Sequence, residues 1–585
     1  MLNIKINGKE CQGQEGQTIL DVAKENGYHI PTLCHFKIGN EGLCNHPVGC
    51  RVCMVEVKRG ENGVLLPACD QVISEGMDIA TDSRMAINAR RTVIELIMSN
   101  HPNDCLYCTR NKKCELQDLA SEYNVQNQRF AGKMTHYGKD TSSKSIVKDL
   151  DKCIICRRCE TVCSKMQTVN IYSAINRGFE TVISPAFGNS FQDTPCTFCG
   201  QCISVCPTAA LTEVPAIDPV WNMLNDEDKI VLVQTAPAVR VALAEEFGAQ
   251  PGTISTGKMV AALRRLGFNQ VFDTNFAADL TIMEEATEIA GRLNGEGRLP
   301  ILTSCCPAWI NFIEYQFPTL VDIPSTCKSP HQMFGAIAKT YWAEKMNVDP
   351  SKIVTVSIMP CVAKKYESAR EELSVDGNLD VDIVLTTREL AQMIKEAGIN
   401  YMALEEEDFD ALMGESTGAG TIFGTTGGVL EAALRTAAAW LGNEEPTSLD
   451  YTEVRGLEGI KEATVNIGGK ELRVAAAHGL GNARTLLERV ENGTNEYDVV
   501  EIMACPGGCI NGGGQPYDHG NPEVVKARMA SMYEMDANKV IRESHKNPEI
   551  IALYDDYLGK PGGEKAHHLL HTHYISKDIN SKIVK

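Results

Sequence analysis

The sequence predicts a multidomain protein that combines α+β and α/β domains. Its 585 residues exceed the length that one hydrophobic core usually organises, so several domains are expected. Most of the 23 cysteines fall in tight groups within the first 210 residues, and the others follow residue 300. Three late cysteine loops each follow an apolar run typical of a buried strand, at 299–303, 353–359 and 499–503. We therefore expect small cysteine-rich domains followed by an α/β domain.

Composition excludes several classes of protein. A net charge of −20 and a pI near 5.2 argue against nucleic acid or an anionic membrane as a partner. The chain begins without an apolar signal segment, and no apolar run approaches the roughly 18 to 20 residues that span a bilayer. Cysteines grouped as CxxC in a long chain indicate metal sites in a reducing compartment. We therefore expect a cytoplasmic protein with neither nucleic-acid nor membrane partners.

The first 80 residues predict a small sheet. Residues 2–6 alternate apolar and polar side chains, Asn7-Gly8 is a strong hairpin signal, and helical periodicity covers 18–26. The thiols that follow resemble the ligands of plant-type 2Fe-2S ferredoxins, which have a β-grasp fold: Cys34, Cys50, Cys53 and Cys69. Cys44 departs from that pattern as a fifth thiol in an unusually long loop. We treat Cys44 and Cys11 as free thiols, with a ligand role for Cys44 as the alternative.

Residues 81–137 predict a cluster domain with mixed ligands. A lone histidine is more often a surface or core residue than a ligand. Three thiols, however, leave a 4Fe-4S cubane one ligand short, and imidazole can substitute on iron. The order also resembles the pattern of hydrogenases and respiratory complex I. The predicted ligands are His101, Cys105, Cys108 and Cys114.

Residues 138–216 contain two runs of four cysteines that fit the two-cluster bacterial ferredoxin pattern, in which the fourth cysteine of each run serves the other cluster. The predicted sets are Cys153, Cys156, Cys159 with Cys206, and Cys196, Cys199, Cys202 with Cys163. The first run has Ser164 where the pattern has proline. A zinc ribbon would need paired CxxC motifs instead of two runs of four. Nearby basic residues are expected mainly to form a solvated face, with docking of an acidic electron carrier as the weaker alternative: Arg110, Lys112, Lys113, Lys152, Arg157 and Arg158.

Three loops after residue 300 carry the remaining chemistry. In open α/β sheets the ligand crevice lies outside the carboxyl ends of the strands, where these loops lie. Four thiols could therefore converge on one iron-sulfur cluster: Cys306, Cys361, Cys505 and Cys509. Neighbouring side chains diverge, so Cys305 would face the open reaction space, where an acid-base group is useful.

These loops resemble the signature motifs of FeFe hydrogenases, and the resemblance covers essentially all 585 residues. It implies a two-lobed α/β catalytic domain at 217–585 that oxidises dihydrogen reversibly to protons and electrons. The cofactor implied is the H-cluster, a cubane joined to a two-iron subsite with carbonyl, cyanide and a bridging dithiolate amine. By the same resemblance Cys306, Cys361, Cys505 and Cys509 hold the cubane, Cys509 also bridges to the two-iron unit, and Cys305 exchanges protons with the amine.

The resemblance also implies which residues surround this cofactor. Those placed near the two-iron subsite are Ala236, Pro237, Ala238, His331, Met359 and Met503. Lys364 would donate a hydrogen bond to a cyanide ligand. A proton path would lead from Cys305 through Glu285, Ser325, Glu288 and Arg292. Helical spacing alone would also suit a solvated stripe of ion pairs. Ala238 and His331 stand where some relatives have Ser and Gln.

Ligand arithmetic gives one 2Fe-2S cluster, three accessory 4Fe-4S clusters and the cubane of the H-cluster, which leaves Cys11, Cys44, Cys305 and Cys327 unligated. The layout is similar to catalytic subunits of multimeric NAD(P)-reducing hydrogenases, which implies flavin- and NAD(P)-binding and small 2Fe-2S partner subunits. A monomeric hydrogenase linked to a soluble ferredoxin is the alternative. A non-catalytic electron-transfer or iron-sulfur assembly protein is disfavoured, because all three cysteine loops, Cys305 and the glutamates are present.

Overall fold

The computed structural model describes residues 1–38, 42–59, 62–441, 448–467 and 469–577, and every predicted site residue lies within these ranges. The N-terminal part forms a five-stranded sheet of order β2-β1-β7-β5-β6 with one helix packed on it. The predicted hairpin at Asn7-Gly8 joins the first two strands, and the predicted helix begins with a capping box at Thr18. The elements are β1 Leu2–Ile6, β2 Lys9–Gly13, α1 Ile19–Glu25, β3 Phe36–Ile38, β4 Leu43–Asn45, β5 Met54–Arg59, β6 Asn62–Pro67 and β7 Asp78–Ala80.

The long loop before Cys50 is a small antiparallel hairpin of β3 and β4. Its apolar side chains Phe36, Ile38 and Leu43 do not join the core of the five-stranded sheet. They pack against a hydrophobic cluster that includes Val162 and other residues of the segment with the two four-cysteine runs. This hairpin therefore attaches the N-terminal domain to its neighbour. It explains why the loop is longer than the plant-type pattern predicts.

The middle of the chain has little regular structure, because its loops wrap around groups of cysteines. Two small sheets, of order β12-β9-β8 and β10-β11, support these loops. The elements are α2 Arg84–Ser99, α3 Glu115–Glu122, β8 Lys139–Asp140, β9 Ile146–Asp149, α4 Arg158–Thr161, β10 Ser173–Ile175, β11 Val182–Ser184, α5 Gln201–Val205 and β12 Leu211–Glu213.

The part of the chain after residue 216 is two-lobed, and each lobe has its own four-stranded sheet. One sheet has the order β14-β13-β16-β19 and is fully parallel, whereas the other has the order β15-β22-β21-β20 with β20 antiparallel. The first elements are α6 Ile217–Leu224, β13 Ile230–Thr235, α7 Thr256–Leu266, β14 Gln270–Asp273, α8 Thr274–Leu293, β15 Ile301–Leu302, α9 Pro307–Gln316, α10 Pro330–Ile337, α11 Ala343–Met346, β16 Ile353–Met359, α12 Ala363–Glu367, β17 Ser374–Val375, β18 Asn378–Leu379 and β19 Ile383–Thr386.

The remaining elements are α13 Thr387–Glu396, α14 Gly418–Ile422, α15 Gly428–Leu441, β20 Ile460–Ile467, β21 Lys470–His478, α16 Leu480–Glu491, β22 Val499–Met503, α17 Pro522–Asn538, α18 Pro548–Leu553 and α19 Glu564–Leu570. The strands predicted at 353–359 and 499–503 have these bounds. The strand predicted at 299–303 is only β15, since Pro300 has no N–H to contribute to a ladder.

Helix α8 lies between the two lobes. Phe276 and Leu280 belong to one hydrophobic cluster, while Ala278 and Ile282 belong to another. Because both faces are buried, this helix can carry polar side chains deep into the protein. Within the described residues, no helix is both long and apolar enough to cross a membrane.

Candidate functional site

The two lobes meet around a cavity of about 80 Å³ at the carboxyl ends of β13, β15, β16 and β22. Its lining includes every residue that the sequence places against the cofactor: Ala236, Pro237, Ala238, Cys305, Cys306, His331, Met359, Cys361, Lys364, Met503, Cys505 and Cys509. The predicted two-lobed arrangement is confirmed: strands of both sheets end at the cavity, so that groups distant in the chain face each other.

Four thiols from three loops line this cavity. Cys306 precedes α9, Cys361 follows β16, and Cys505 and Cys509 follow β22. None of the described cysteines forms a disulfide. Free thiols in a cavity with otherwise largely apolar walls match the thiolate ligand set of a 4Fe-4S cluster. The residues present therefore fit the predicted cubane.

Glycine-rich segments let the loops approach each other closely. A Cβ on Gly508 would lie 2.6 Å from the backbone nitrogen of Thr426, and one on Gly513 would lie 2.6 Å from the carbonyl oxygen of Cys199. No side chain fits at either position. The glycines therefore permit close backbone packing, and at Gly513 the loop after β22 packs against the loop of Cys199.

Cys305 and Cys306 point into different surroundings. Cys306 packs against the hydrophobic cluster that includes Trp309, whereas Cys305 packs against the cluster of α15 and the second sheet. Both residues line the cavity. The expected divergence of neighbouring thiols is therefore present, and Cys305 is free to act apart from the four-thiol set.

The predicted proton-path residues lie in a buried row behind Cys305. Glu285 is 2% exposed, and its Oε2 has no hydrogen-bond partner among the described residues. Ser325 donates to Glu288 at 2.8 Å, and Arg292 donates to the same carboxylate at 2.5 Å. Burial, reinforced by the charges of Glu288 and Glu501, raises the pKa of Glu285 to about 8. A protonated carboxyl group therefore stands inside at neutral pH, and a solvated ion-pair stripe is excluded.

Lys364 reaches the cavity from α12. Its Nζ donates to the carbonyl oxygen of Cys305 at 3.1 Å and pairs with Glu367 at 2.8 Å. Burial alone would lower the pKa of Lys364, but the Glu367 carboxylate raises it overall, so the ammonium group stays charged. Glu367 also contacts Nε2 of His331 at 2.5 Å. Burial and the nearby Lys364 lower the pKa of His331 to about 4, which keeps this ring neutral.

Protein-family models match successive parts of the chain. Residues 229–513 match the iron only hydrogenase large subunit, C-terminal domain, and 522–577 match the iron hydrogenase small subunit. Further matches are the 2Fe-2S iron-sulfur cluster binding domain at 1–84, the NADH-ubiquinone oxidoreductase-G iron-sulfur binding region at 90–129 and the 4Fe-4S dicluster domain at 134–210.

Similarity extends along the whole chain. The NADP-reducing hydrogenase subunit HndD of Solidesulfovibrio fructosivorans is 53% identical over 99% of both chains. The chain belongs to the FeFe hydrogenase family. Iron hydrogenase 1 of Clostridium pasteurianum is 41% identical over 98% of this chain and 100% of that protein. A variant of the [FeFe]-hydrogenase HydA1 from Chlamydomonas reinhardtii is 42% identical with a TM-score of 0.57, covering 62% of this chain and 99% of that structure.

This hydrogenase carries iron-sulfur domains of both the 2Fe-2S and the 4Fe-4S kind in front of its catalytic domain. In the two-cluster segment the structure gathers Cys153, Cys156, Cys159 and Cys206 around one small cavity, and Cys163, Cys196, Cys199 and Cys202 around another. Ile155 and Phe198 occupy equivalent positions of the two runs and both have left-handed φ values, of 56° and 57°. Such strained turns are typical of loops that wrap a ligand.

The four thiols of the predicted 2Fe-2S set are also brought together. Cys53 and Cys69 sulfur atoms lie 3.3 Å apart, while Cys34 and Cys50 are close enough to perturb each other's pKa. The Nδ1 of His101 is buried and unpaired among the described residues, and burial lowers the pKa of this ring to about 4. A neutral, unpaired imidazole nitrogen suits a ligand. The other members of its set, Cys105, Cys108 and Cys114, follow in the same loop.

Cys44 has a partner outside the predicted ligand set, since its sulfur contacts Nε2 of His35 at 3.3 Å. We expect Cys44→Ser to leave every cluster intact. Cys50→Ser should erase the electron paramagnetic resonance (EPR) signal of the 2Fe-2S centre. Iron content and EPR spectra of the two variants, recorded side by side, check this prediction. Loss of the 2Fe-2S signal from Cys44→Ser would reverse the assignment.

The expectation of a solvated basic face is wrong for Arg110, Lys152 and Arg158, which are all buried. Arg110 donates to the carbonyl oxygen of Cys206, and Arg158 forms two hydrogen bonds of 2.7 Å with Glu115. These side chains therefore hold segments of the chain together instead of facing solvent. The buried carbonyl oxygen of Cys206, for example, needs a donor, and Arg110 supplies it.

Sequence reasoning missed two buried carboxylates near the cavity. Glu367 follows Lys364 by three residues in a helix, a spacing that could have signalled the ion pair. Glu501 lies in β22 and accepts hydrogen bonds from the backbone nitrogens of Gly427 and Leu430 at the start of α15. Only the fold brings these groups together, so no local pattern marks Glu501.

Proposed function

We propose that this hydrogenase is the catalytic subunit of a multimeric NADP-reducing hydrogenase. The observation that carries the proposal is its 53% identity to NADP-reducing hydrogenase subunit HndD over 99% of both chains. In the proposed reaction dihydrogen is oxidised reversibly to protons and electrons. The electrons leave through accessory clusters toward a partner subunit that binds flavin and NAD(P). A small 2Fe-2S subunit is the second proposed partner.

The proposed roles follow from the contacts of the cavity. Cys306, Cys361, Cys505 and Cys509 would hold the cubane of the H-cluster, which when bound supplies the iron chemistry that splits or forms dihydrogen. Lys364 presents its ammonium group to the cavity as a hydrogen-bond donor. The six residues of its predicted surroundings, Ala236, Pro237, Ala238, His331, Met359 and Met503, shape the wall and exclude water.

Proton movement is proposed to use the buried row behind the cavity. Cys305 would receive a proton at its sulfur atom and pass it to Glu285, which would release its own proton toward Ser325 in the same transfer. From there Ser325 connects to Glu288, whose carboxylate already bonds the Ser325 hydroxyl and Arg292. Arg292 marks the outer end of the row.

The proposed electron path has one 2Fe-2S and three accessory 4Fe-4S clusters, in domains 1–80, 81–137 and 138–216 ahead of the catalytic domain 217–585. The loop of Cys199 supports this order, since Cys199 lines both the catalytic cavity and the cavity of its own cysteine group. A soluble ferredoxin as the direct partner is the second candidate, because the layout of the chain is also similar to that of monomeric ferredoxin-linked hydrogenases.

The purified, fully metallated chain is expected to reduce a viologen dye with dihydrogen but not NADP. A one-electron dye can take electrons directly from exposed clusters, whereas hydride transfer to NADP needs a flavin-bearing partner. Dihydrogen-dependent absorbance changes with each acceptor measure this. Efficient NADP reduction by the chain alone would contradict the assignment, and viologen reduction in the same preparation is the control for intact clusters.

A further inference from the structure

Asn45, at the end of the β3–β4 hairpin, lies between two cluster domains. It is 1% exposed. Its Nδ2 donates to the carbonyl oxygen of Cys34 at 2.6 Å and to that of Cys156 at 2.9 Å. Its Oδ1 accepts from the hydroxyl of Thr161 at 2.5 Å. One amide group therefore joins the backbones of a predicted 2Fe-2S ligand and a predicted 4Fe-4S ligand that are distant in the sequence.

The hydrogen bonds themselves fix the orientation of this amide. Carbonyl oxygens can only accept, so the NH2 group of Asn45 must face Cys34 and Cys156 and uses both of its hydrogens. The Thr161 hydroxyl supplies the donor that the Oδ1 needs. A flipped amide would place oxygen against oxygen at two buried contacts, which is costly.

The surrounding contacts hold the hairpin in place around Asn45. Phe36, Ile38 and Leu43 pack on the hydrophobic cluster of the neighbouring segment. The guanidinium carbon of Arg158 lies 4.3 Å from the centroid of the Phe36 ring, in cation–π geometry. These contacts would attach the hairpin without Asn45. The amide therefore adds something specific, namely a link that ends on the ligand residues themselves.

We propose that Asn45 is a positioning residue that fixes Cys34 and Cys156 in one hydrogen-bonded register and so couples the 2Fe-2S centre directly to the cubane of Cys153, Cys156, Cys159 and Cys206. The proposal rests on the ligand sets of the proposed function. With both clusters bound, the exchange that Asn45 would serve moves one electron from the reduced 2Fe-2S centre to the oxidised cubane, with no proton or further reactant.

Substitution of Asn45 tests this in the full chain loaded with its iron-sulfur clusters. Asn45→Leu keeps a similar volume but removes both donors, and Asn45→Asp replaces them by an acceptor that faces two carbonyls. Thr161→Val is the matched control, since it removes the Oδ1 contact and leaves both Nδ2 bonds. A pulse of photochemically generated one-electron reductant is followed by freeze-quench EPR, which measures the rate at which the 2Fe-2S and 4Fe-4S signals equilibrate. The spin–spin interaction between the two reduced centres is recorded in the same samples as a measure of their separation.

We expect the equilibration rate to fall about tenfold or more in Asn45→Leu and Asn45→Asp, because the hydrogen-bonded link between the two ligand backbones is lost while the apolar contacts of the hairpin keep the two domains in place. Thr161→Val should keep a rate near that of the wild type, and the spin–spin interaction should change little in any variant. An unchanged rate in both Asn45 variants would overturn the proposal.

Other outcomes are equally decisive. If the spin–spin interaction weakens together with the rate, Asn45 merely docks two domains and the coupling role is wrong. If both Asn45 variants lose the 2Fe-2S signal, the residue serves the cluster site itself, which also overturns the proposal. Absence of either signal from the wild-type chain would instead contradict the ligand sets of the proposed function. Failure of that function and failure of this inference are thus distinguishable.

Discussion

Cys305→Ser is expected to lower dihydrogen turnover by at least about a hundredfold, the lower end of what a general acid-base group contributes. The thiol lines the cavity but stands apart from the four-thiol set, so its loss should spare the metal centre. Serine nearly keeps the volume of cysteine while its hydroxyl is far less acidic. A packing role therefore predicts near-normal turnover, whereas a proton-carrying role predicts a large loss.

Infrared spectra separate these two roles. Cys305→Ser should retain full iron content and the bands of metal-bound carbonyl and cyanide. Cys306→Ser is the matched control one residue away, and it should disturb the cluster and these bands. Dihydrogen evolution and uptake are then compared at equal iron content. Turnover close to that of the wild type in fully metallated Cys305→Ser would exclude the proton-carrying role.

Cysteine spacing predicted which thiols of the two four-cysteine runs gather, because short local turns separate them. Ile155 and Phe198 repeat the same left-handed turn between successive cysteines. The crossed groups of thiols around two cavities agree with the spacing. A motif whose residues all lie within a few positions of each other can be identified from the sequence without knowledge of the fold.

What the sequence could not provide depends on packing between distant segments. Arg158 lies in a basic run that suggested solvent exposure, but Glu115 and the ring of Phe36 bury it. No local pattern marks Asn45, which stands in the sequence beside the extra thiol of Cys44. The partners of Asn45 come from two domains, so its role appears only once both are folded together.

Glu285→Gln is expected to reduce dihydrogen turnover by about a hundredfold or more, because an amide cannot accept and release a proton as a carboxyl group does. The same substitution should raise the free energy of unfolding relative to the wild type at neutral pH. The pKa of Glu285 is about 8 in the folded protein, chiefly because of burial, against an ordinary value of 4.5 for a glutamate side chain. At pH values between about 4.5 and about 8, Glu285 is protonated in the folded protein but ionised in the unfolded chain, so folding takes up a proton. The wild type therefore loses stability as pH rises across this range.

The amide variant has no such group to neutralise, so its stability relative to the wild type should increase across that pH range. Thermal unfolding of both proteins at several pH values, with matched metal content, measures the difference. Glu284→Gln is the control, since this neighbouring buried carboxylate accepts from the Tyr554 hydroxyl and from Gly562 nitrogen at 2.8 Å, on the side of the C-terminal segment. That variant should lose stability and largely keep its turnover per intact cluster. A Glu285→Gln protein that is inactive and also less stable at every pH would show that Glu285 supports the fold, and the proton path would then have to avoid it.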